Sequence, residues 1–155
     1  MTNEMRALTR RIQLLEDQAA LRSLLVRGWR ALDHKDFDTW SACWTEDATF
    51  EFGPWGVLRG RAEIRARVQA AEEPYPRMLH HILNTDFQVE GDTATGVGLM
   101  WFVGVGEGQE TGGQYHLGGP YEWEYRREAD GWRISAMRLA VWYSHGEDSL
   151  AAFTG

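Results

Sequence analysis

The sequence predicts an α+β domain, with helices gathered on one face of a strongly curved sheet. Three observations carry that expectation. Apolar spacing is helical in the first third of the chain and then alternates in long strand-like runs. Tight hairpin signals, Gly91-Asp92 and Asp130-Gly131, separate those runs. The late strands have no helices between them, which disfavours a parallel, doubly wound sheet.

From about Met5 to Asp33, Leu8, Ile12, Leu15 and Ala19, then Leu21, Leu25, Gly28 and Leu32, recur at the spacing of one buried helical face. Asp36 is the expected N-cap of a short helix through Phe37, Trp40, Ala42 and Trp44, closed by Thr45-Glu46-Asp47. Ala48 to Phe52 alternates as a first strand, and Val57-Leu58 reads as a short return after the turn Gly53-Pro54-Trp55-Gly56. Arg61 to Glu73 is the third helix, with Ile64 and Val68 inward and an end before Pro74. Strands are then expected over Arg77–Glu90, Thr93–Val105, Gln114–Arg127 and Trp132–Ser144. The stretch Gly104–Gly113, with five glycines, reads as a longer hairpin loop.

The chain of 155 residues suits a single domain, taken as 1–155. With 16 basic and 23 acidic residues and a net charge of −7, it lacks the basic surface that a nucleic-acid partner requires. A lone cysteine, Cys43, excludes an intramolecular disulfide and suits a reducing, cytoplasmic setting. The charged N-terminus is not a signal peptide, and no apolar run is long enough to span a membrane. No cysteine–histidine cluster has metal-ligand spacing, and no glycine-rich turn leads from a strand into a helix, so neither a metal nor a cofactor is expected.

Two residues are chemically out of place. Alternation along Met78–Glu90 puts Leu79, His81, Leu83, Thr85, Phe87 and Val89 on one face, which leaves His81 among apolar neighbours and His80 on the wetter side. His81 is then either a satisfied core histidine or a general base. Asp33 sits in the last turn of a long helix, where the macrodipole disfavours a carboxylate by roughly 0.3–1 kcal/mol. It either helps form the turn or reaches inward to a buried proton donor. Cys43 reads as a buried structural thiol.

The runs Ala31-Leu32-Asp33-His34-Lys35-Asp36-Phe37-Asp38, Cys43-Trp44-Thr45-Glu46-Asp47-Ala48-Thr49-Phe50 and His80-His81-Ile82-Leu83-Asn84 resemble SnoaL-like members of the NTF2-like superfamily. So does Gly119-Pro120-Tyr121-Glu122-Trp123-Glu124-Tyr125 leading into Asp130-Gly131-Trp132-Arg133-Ile134. The resemblance spans about residues 10–145 and implies a cone, a curved mixed sheet wrapped around a pocket that the helices close. It is strongest to the scytalone dehydratase, bile-acid dehydratase and hexachlorocyclohexane dehydrochlorinase families, cofactor-free lyases with an Asp–His dyad. Asp33 and His81 match that dyad. The match departs at Leu32 and Phe52, where scytalone dehydratase has tyrosines, and at Gly28, near the dehydrochlorinase's lysine.

The resemblance thus implies elimination on a hydrophobic aromatic or polycyclic small molecule, with His81 moving the proton and Asp33 holding its tautomer. Tyr121, which shares a strand face with Trp123 and Tyr125, is the expected pocket hydroxyl. Trp29, Phe52, Trp55, Trp101 and Trp142 are the expected apolar walls. The alternatives are an isomerase using the same base, or a non-catalytic binding or scaffolding module. A homotrimer is expected ahead of a dimer.

Overall fold

The computed structural model describes residues 2–110, 112–148 and 151–153. Three helices, α1 (Asn3–Asp33), α2 (Phe37–Ser41) and α3 (Arg61–Glu72), accompany seven strands: β1 (Trp44–Phe52), β2 (Gly56–Arg59), β3 (Arg77–Glu90), β4 (Thr93–Val105), β5 (Tyr115–Glu128), β6 (Gly131–Leu139) and β7 (Tyr143–His145). The strands form one curved sheet ordered β2-β1-β6-β5-β4-β3, with β7 also paired to β5. Every pairing is antiparallel except β1 with β6, so the sheet is mixed. Helices against such a sheet make the expected α+β fold, an NTF2-like cone.

Only the second half of α1 is core. Leu21, Leu24, Leu25, Trp29 and Leu32 are buried, whereas Leu8, Ile12, Leu15 and Ala19 are exposed rather than inward. The boundary is Asp17, whose carboxylate accepts from both Arg127 guanidinium nitrogens (2.9 and 2.8 Å) and from Trp132 Nε1 (3.0 Å). N-terminal to that anchor the helix has no sheet beneath it. At Gly28 the helix lies so close to the link between α2 and β1 that an added Cβ would sit 3.1 Å from Cys43 Sγ. Cys43 is free and fully buried.

Two boundaries differ from the sequence expectation because strand pairing overrides local preference. Thr45-Glu46-Asp47 belongs to β1 and does not close α2, since Trp44 already pairs with Ile134 of β6. The last expected strand breaks after Leu139 and resumes at Tyr143. There Pro120 offers no N–H to the ladder, and Gly119 has the Ala140 carbonyl so close that any Cβ would clash with it. The glycine-rich segment between Val105 and Tyr115 is a loop as expected, with Thr111 outside the described residues.

The feature that matters most for the site is a bulge in β3. Leu83 pairs with Leu99 and Asp86 with Val97, so β3 carries one more residue than β4 across this interval. Asn84 takes the extra turn at φ 52°, a left-handed conformation that asparagine tolerates better than most residues. The bulge inverts the alternation. Met78, His80 and Ile82 face the interior before it, and Phe87 and Val89 face the interior after it.

Candidate functional site

The site lies where the end of α1, the end of α3 and the first half of β3 converge. His80 is at its centre, with 5% of its side chain exposed. Its Nδ1–H donates to Asp33 Oδ1 at 2.7 Å, and its backbone N–H donates to the same carboxylate at 3.1 and 3.2 Å. This pairing explains an aspartate in the last turn of α1, because the donors from β3 offset the unfavourable helix dipole. Nε2, the other ring nitrogen, lies 3.4 Å from Glu72 Oε1. Burial opposes a charge on the ring, but the charge of Glu72 and the hydrogen bonds to Asp33 and Glu72 outweigh it and raise the His80 pKa to about 9.

Glu72 is itself buried, and its Oε2 has no hydrogen-bond partner among the described residues. It is the last residue of α3 and continues the inward stripe of Ile64 and Val68 at four-residue spacing. Lys35, at φ 64° in the turn after α1, donates Nζ to the Glu72 backbone carbonyl at 2.5 Å and ties the two helix ends together. Burial lowers the Lys35 pKa, against the opposing charges of Glu72, Glu73 and Asp33.

Above these polar groups the wall is aromatic. Trp29 donates Nε1–H to the Tyr121 hydroxyl at 3.1 Å, which leaves the tyrosine's own O–H free to donate into the cavity. Burial raises the Tyr121 pKa, so the phenol stays protonated. Phe52, Trp55 and Phe153 close the far side; Phe153 stacks on Trp55 at 5.9 Å and packs edge-on to Phe102 at 5.0 Å. Phe153 is held by Asp148, which accepts its backbone N–H at 2.8 Å, while Trp55 Nε1 donates to the Ala152 carbonyl at 3.1 Å. With Phe153 seated, the cavity measures about 30 Å³, enough to hold water but not an aromatic ring.

The structure therefore brings together Asp33, Tyr121, Trp29, Phe52 and Trp55 from the residues expected at the pocket. Three others differ. His81 is not Asp33's partner. The bulge at Asn84 turns it to the outer face, where Nδ1–H donates to the Trp101 carbonyl at 3.0 Å and the ring stacks on Trp101 at 4.9 Å. Trp101 also faces outward, 43% exposed, because its neighbours Met100 and Phe102 face inward. Trp142, 78% exposed, lies in the break between β6 and β7. Sequence reasoning missed His80 and Glu72. The signal for Glu72 was present, as a charged residue on an otherwise apolar helical stripe; the signal for His80 was an asparagine inside a strand. Among the described residues, no group of three or more His, Cys, Asp or Glu side chains could hold a metal ion, and no helix is long and apolar enough to cross a membrane.

Comparison with known proteins agrees with this architecture. An NTF2-like protein with a cystatin-like fold from Novosphingobium aromaticivorans is 25% identical, with 98% of this chain and 96% of that one covered at a TM-score of 0.77. A candidate aromatic ring hydroxylase from the same organism is 26% identical over 86% of this chain and 94% of that one, at a TM-score of 0.75. A type 2 hexachlorocyclohexane dehydrochlorinase shares the fold at 19% identity, over 89% and 93% of the two chains, with a TM-score of 0.77. No curated protein sequence matches significantly. The family model for the SnoaL-like domain matches residues 13–138, and the chain belongs to that family.

Proposed function

We propose that this protein is a cofactor-independent lyase that eliminates water, or a comparable leaving group, from a hydrophobic aromatic or polycyclic small molecule. The observation that carries this reading is the buried Asp33–His80 pair, joined at 2.7 Å and opening on an aromatic cavity. Asp33 fixes the orientation of the ring and keeps the Nδ1 proton in place, so proton exchange with the substrate occurs at Nε2. Tyr121 donates its hydroxyl to an oxygen of the substrate, and Trp29 holds the phenol in position. The apolar walls exclude water and align the breaking bond. A substrate ring takes the place of Phe153, which leaves its seat to admit it. The dehydrochlorinase that shares this fold lends the elimination reading a precedent of shape only.

The test is a thermal-shift screen of hydroxylated aromatic and polycyclic compounds, followed by turnover assays on the binders. Asp33→Asn is expected to bind the same compound and to lose at least about 10²-fold in rate, because an amide favours the wrong tautomer. A folded Asp33→Asn protein with wild-type turnover would sink the reading.

The reading includes a reducing, cytoplasmic location, supported by the one buried free thiol, and assembly of copies of this chain, a trimer ahead of a dimer. Supporting assembly, Met5, Leu8, Ile12 and Leu15 stand exposed on α1 at the three-four-three spacing of a helix-pairing seam. Arg11 and Glu16 flank that seam where parallel copies would bring them together. A solution mass of one 17.7 kDa protomer by light scattering would refute it.

A further inference from the structure

The second carboxylate at His80 has no role in a simple Asp–His dyad. Asp33 accepts the Nδ1–H hydrogen bond and Glu72 Oε1 stands 3.4 Å from Nε2, so the ring is bracketed by acceptors on both sides. A ring in that position holds both protons, and a doubly protonated imidazole has no lone pair with which to take another. Glu72, by contrast, is among the residues that line the cavity, and its buried Oε2 meets no donor among the described residues. Buried carboxylate oxygens are rarely left without a partner unless something else uses them.

We propose that Glu72 is the general base of this site and that His80, anchored by Asp33, is the general acid beside it. The inference rests on the elimination reading and divides that chemistry between two groups. Glu72 Oε2 takes a proton from the substrate carbon, and the electrons of that C–H bond form the new double bond. The C–O bond breaks, its electrons stay on oxygen, and that oxygen takes the Nε2 proton of His80 and departs as water. Glu72 is left as the acid and His80 as the neutral base, 3.4 Å apart. Transfer of the proton from Glu72 to His80 restores the starting state with no external reagent. The charged groups that act on His80 are Asp33 from α1 and Glu72 from α3; Lys35, from the turn after α1, is bonded to the Glu72 backbone, and Tyr121 from β5 lines the same cavity. Of these, Glu72 is the group with an unpartnered acceptor atom.

The experiment uses 5-nitrobenzisoxazole, a flat aromatic probe whose ring opens when a base removes its one acidic C–H. The N–O bond breaks with its electrons kept on oxygen, and the nitrile and the coloured nitrophenolate form on the same product molecule. That phenolate is a weak enough base to leave without an acid, so the probe reports the base alone. Wild-type protein is expected to open the ring above the buffer rate. Glu72→Gln should lower kcat/KM by at least about 10²-fold. His81→Gln should stay within about twofold, because that ring lies on the outer face against Trp101 and away from the cavity. Glu72→Asp keeps the charge but draws it back by one methylene, and should lose about tenfold. If His80→Gln abolishes ring opening while Glu72→Gln preserves or raises it, the histidine is the base and this inference is overturned, with the dyad reading intact. A wild-type protein no faster than buffer overturns it too, as does a Glu72→Asp protein at the wild-type rate. Ring opening that depends on Glu72, without elimination from any hydroxylated compound that binds, would keep the base and remove the lyase reading.

Discussion

His80 and His81 are consecutive residues on opposite faces of one sheet. His80 is buried, held between Asp33 and Glu72, and its pKa is raised to about 9. His81 is half-buried on the outer face, flat against the exposed ring of Trp101. Its ring donates a hydrogen bond to a backbone carbonyl. The two imidazoles are chemically identical, so everything that separates them comes from the face each occupies. A charged partner in a dry site changes which protonation state a histidine keeps.

The sharpest test of that contrast is activity. On a true substrate His80→Ala should lose about 10²–10⁴-fold in kcat, while His81→Ala should stay within about twofold. Equal losses in the two variants, measured by steady-state kinetics on folded protein, would erase the distinction.

Stability against pH separates them next. The folded-state pKa of His80 lies above the ordinary histidine value of 6.5, so its contribution is fully present below about 6.5 and is lost as pH rises through about 9. Each tenfold gain in proton affinity on folding is worth about 1.4 kcal/mol, which puts that contribution on the order of 3 kcal/mol at most. Thermal unfolding should therefore show the wild-type midpoint falling between pH 7 and pH 9.5. His80→Gln should flatten that slope and His81→Ala should keep it. An unchanged slope in His80→Gln would show that the ring is neutral in the folded protein.

The smallest effect concerns the device that sets the two faces. Asn84→Val forces a β-branched residue into the left-handed conformation and should cost about 1–2 kcal/mol in chemical denaturation. Asn84→Gly should be neutral to within about 0.5 kcal/mol, because glycine adopts φ near 50° without strain. A fully stable Asn84→Val protein would mean that the bulge has moved, and the positions of both histidines with it.

Whatever local spacing and local chemistry control is legible in the amino-acid order alone. The succession of helices and strands follows from the change of apolar period, and the hairpins from Gly91-Asp92 and Asp130-Gly131. Asp33 was visible as an anomaly because helix-end electrostatics depend only on position within the helix. Which histidine Asp33 meets is a different kind of question, answered by pairing at long range. It depends on one residue more in β3 than in β4 between the pairs Leu83–Leu99 and Asp86–Val97, a property of two strands together that neither carries alone. Strict alternation predicted the inward residues correctly at Phe87 and Val89, and by the same rule incorrectly at His81, because a single bulge flips every side chain beyond it. The exposed first half of α1 has the same origin. Its apolar spacing is genuine, but burial requires a surface opposite, and the sheet ends near Asp17. Glu72 joins the site because α3 ends against the turn after α1, a contact made across 37 residues of chain at Lys35. Period and propensity act over a few residues; the partner across a sheet, or at the end of another helix, is chosen by the packing of the whole chain.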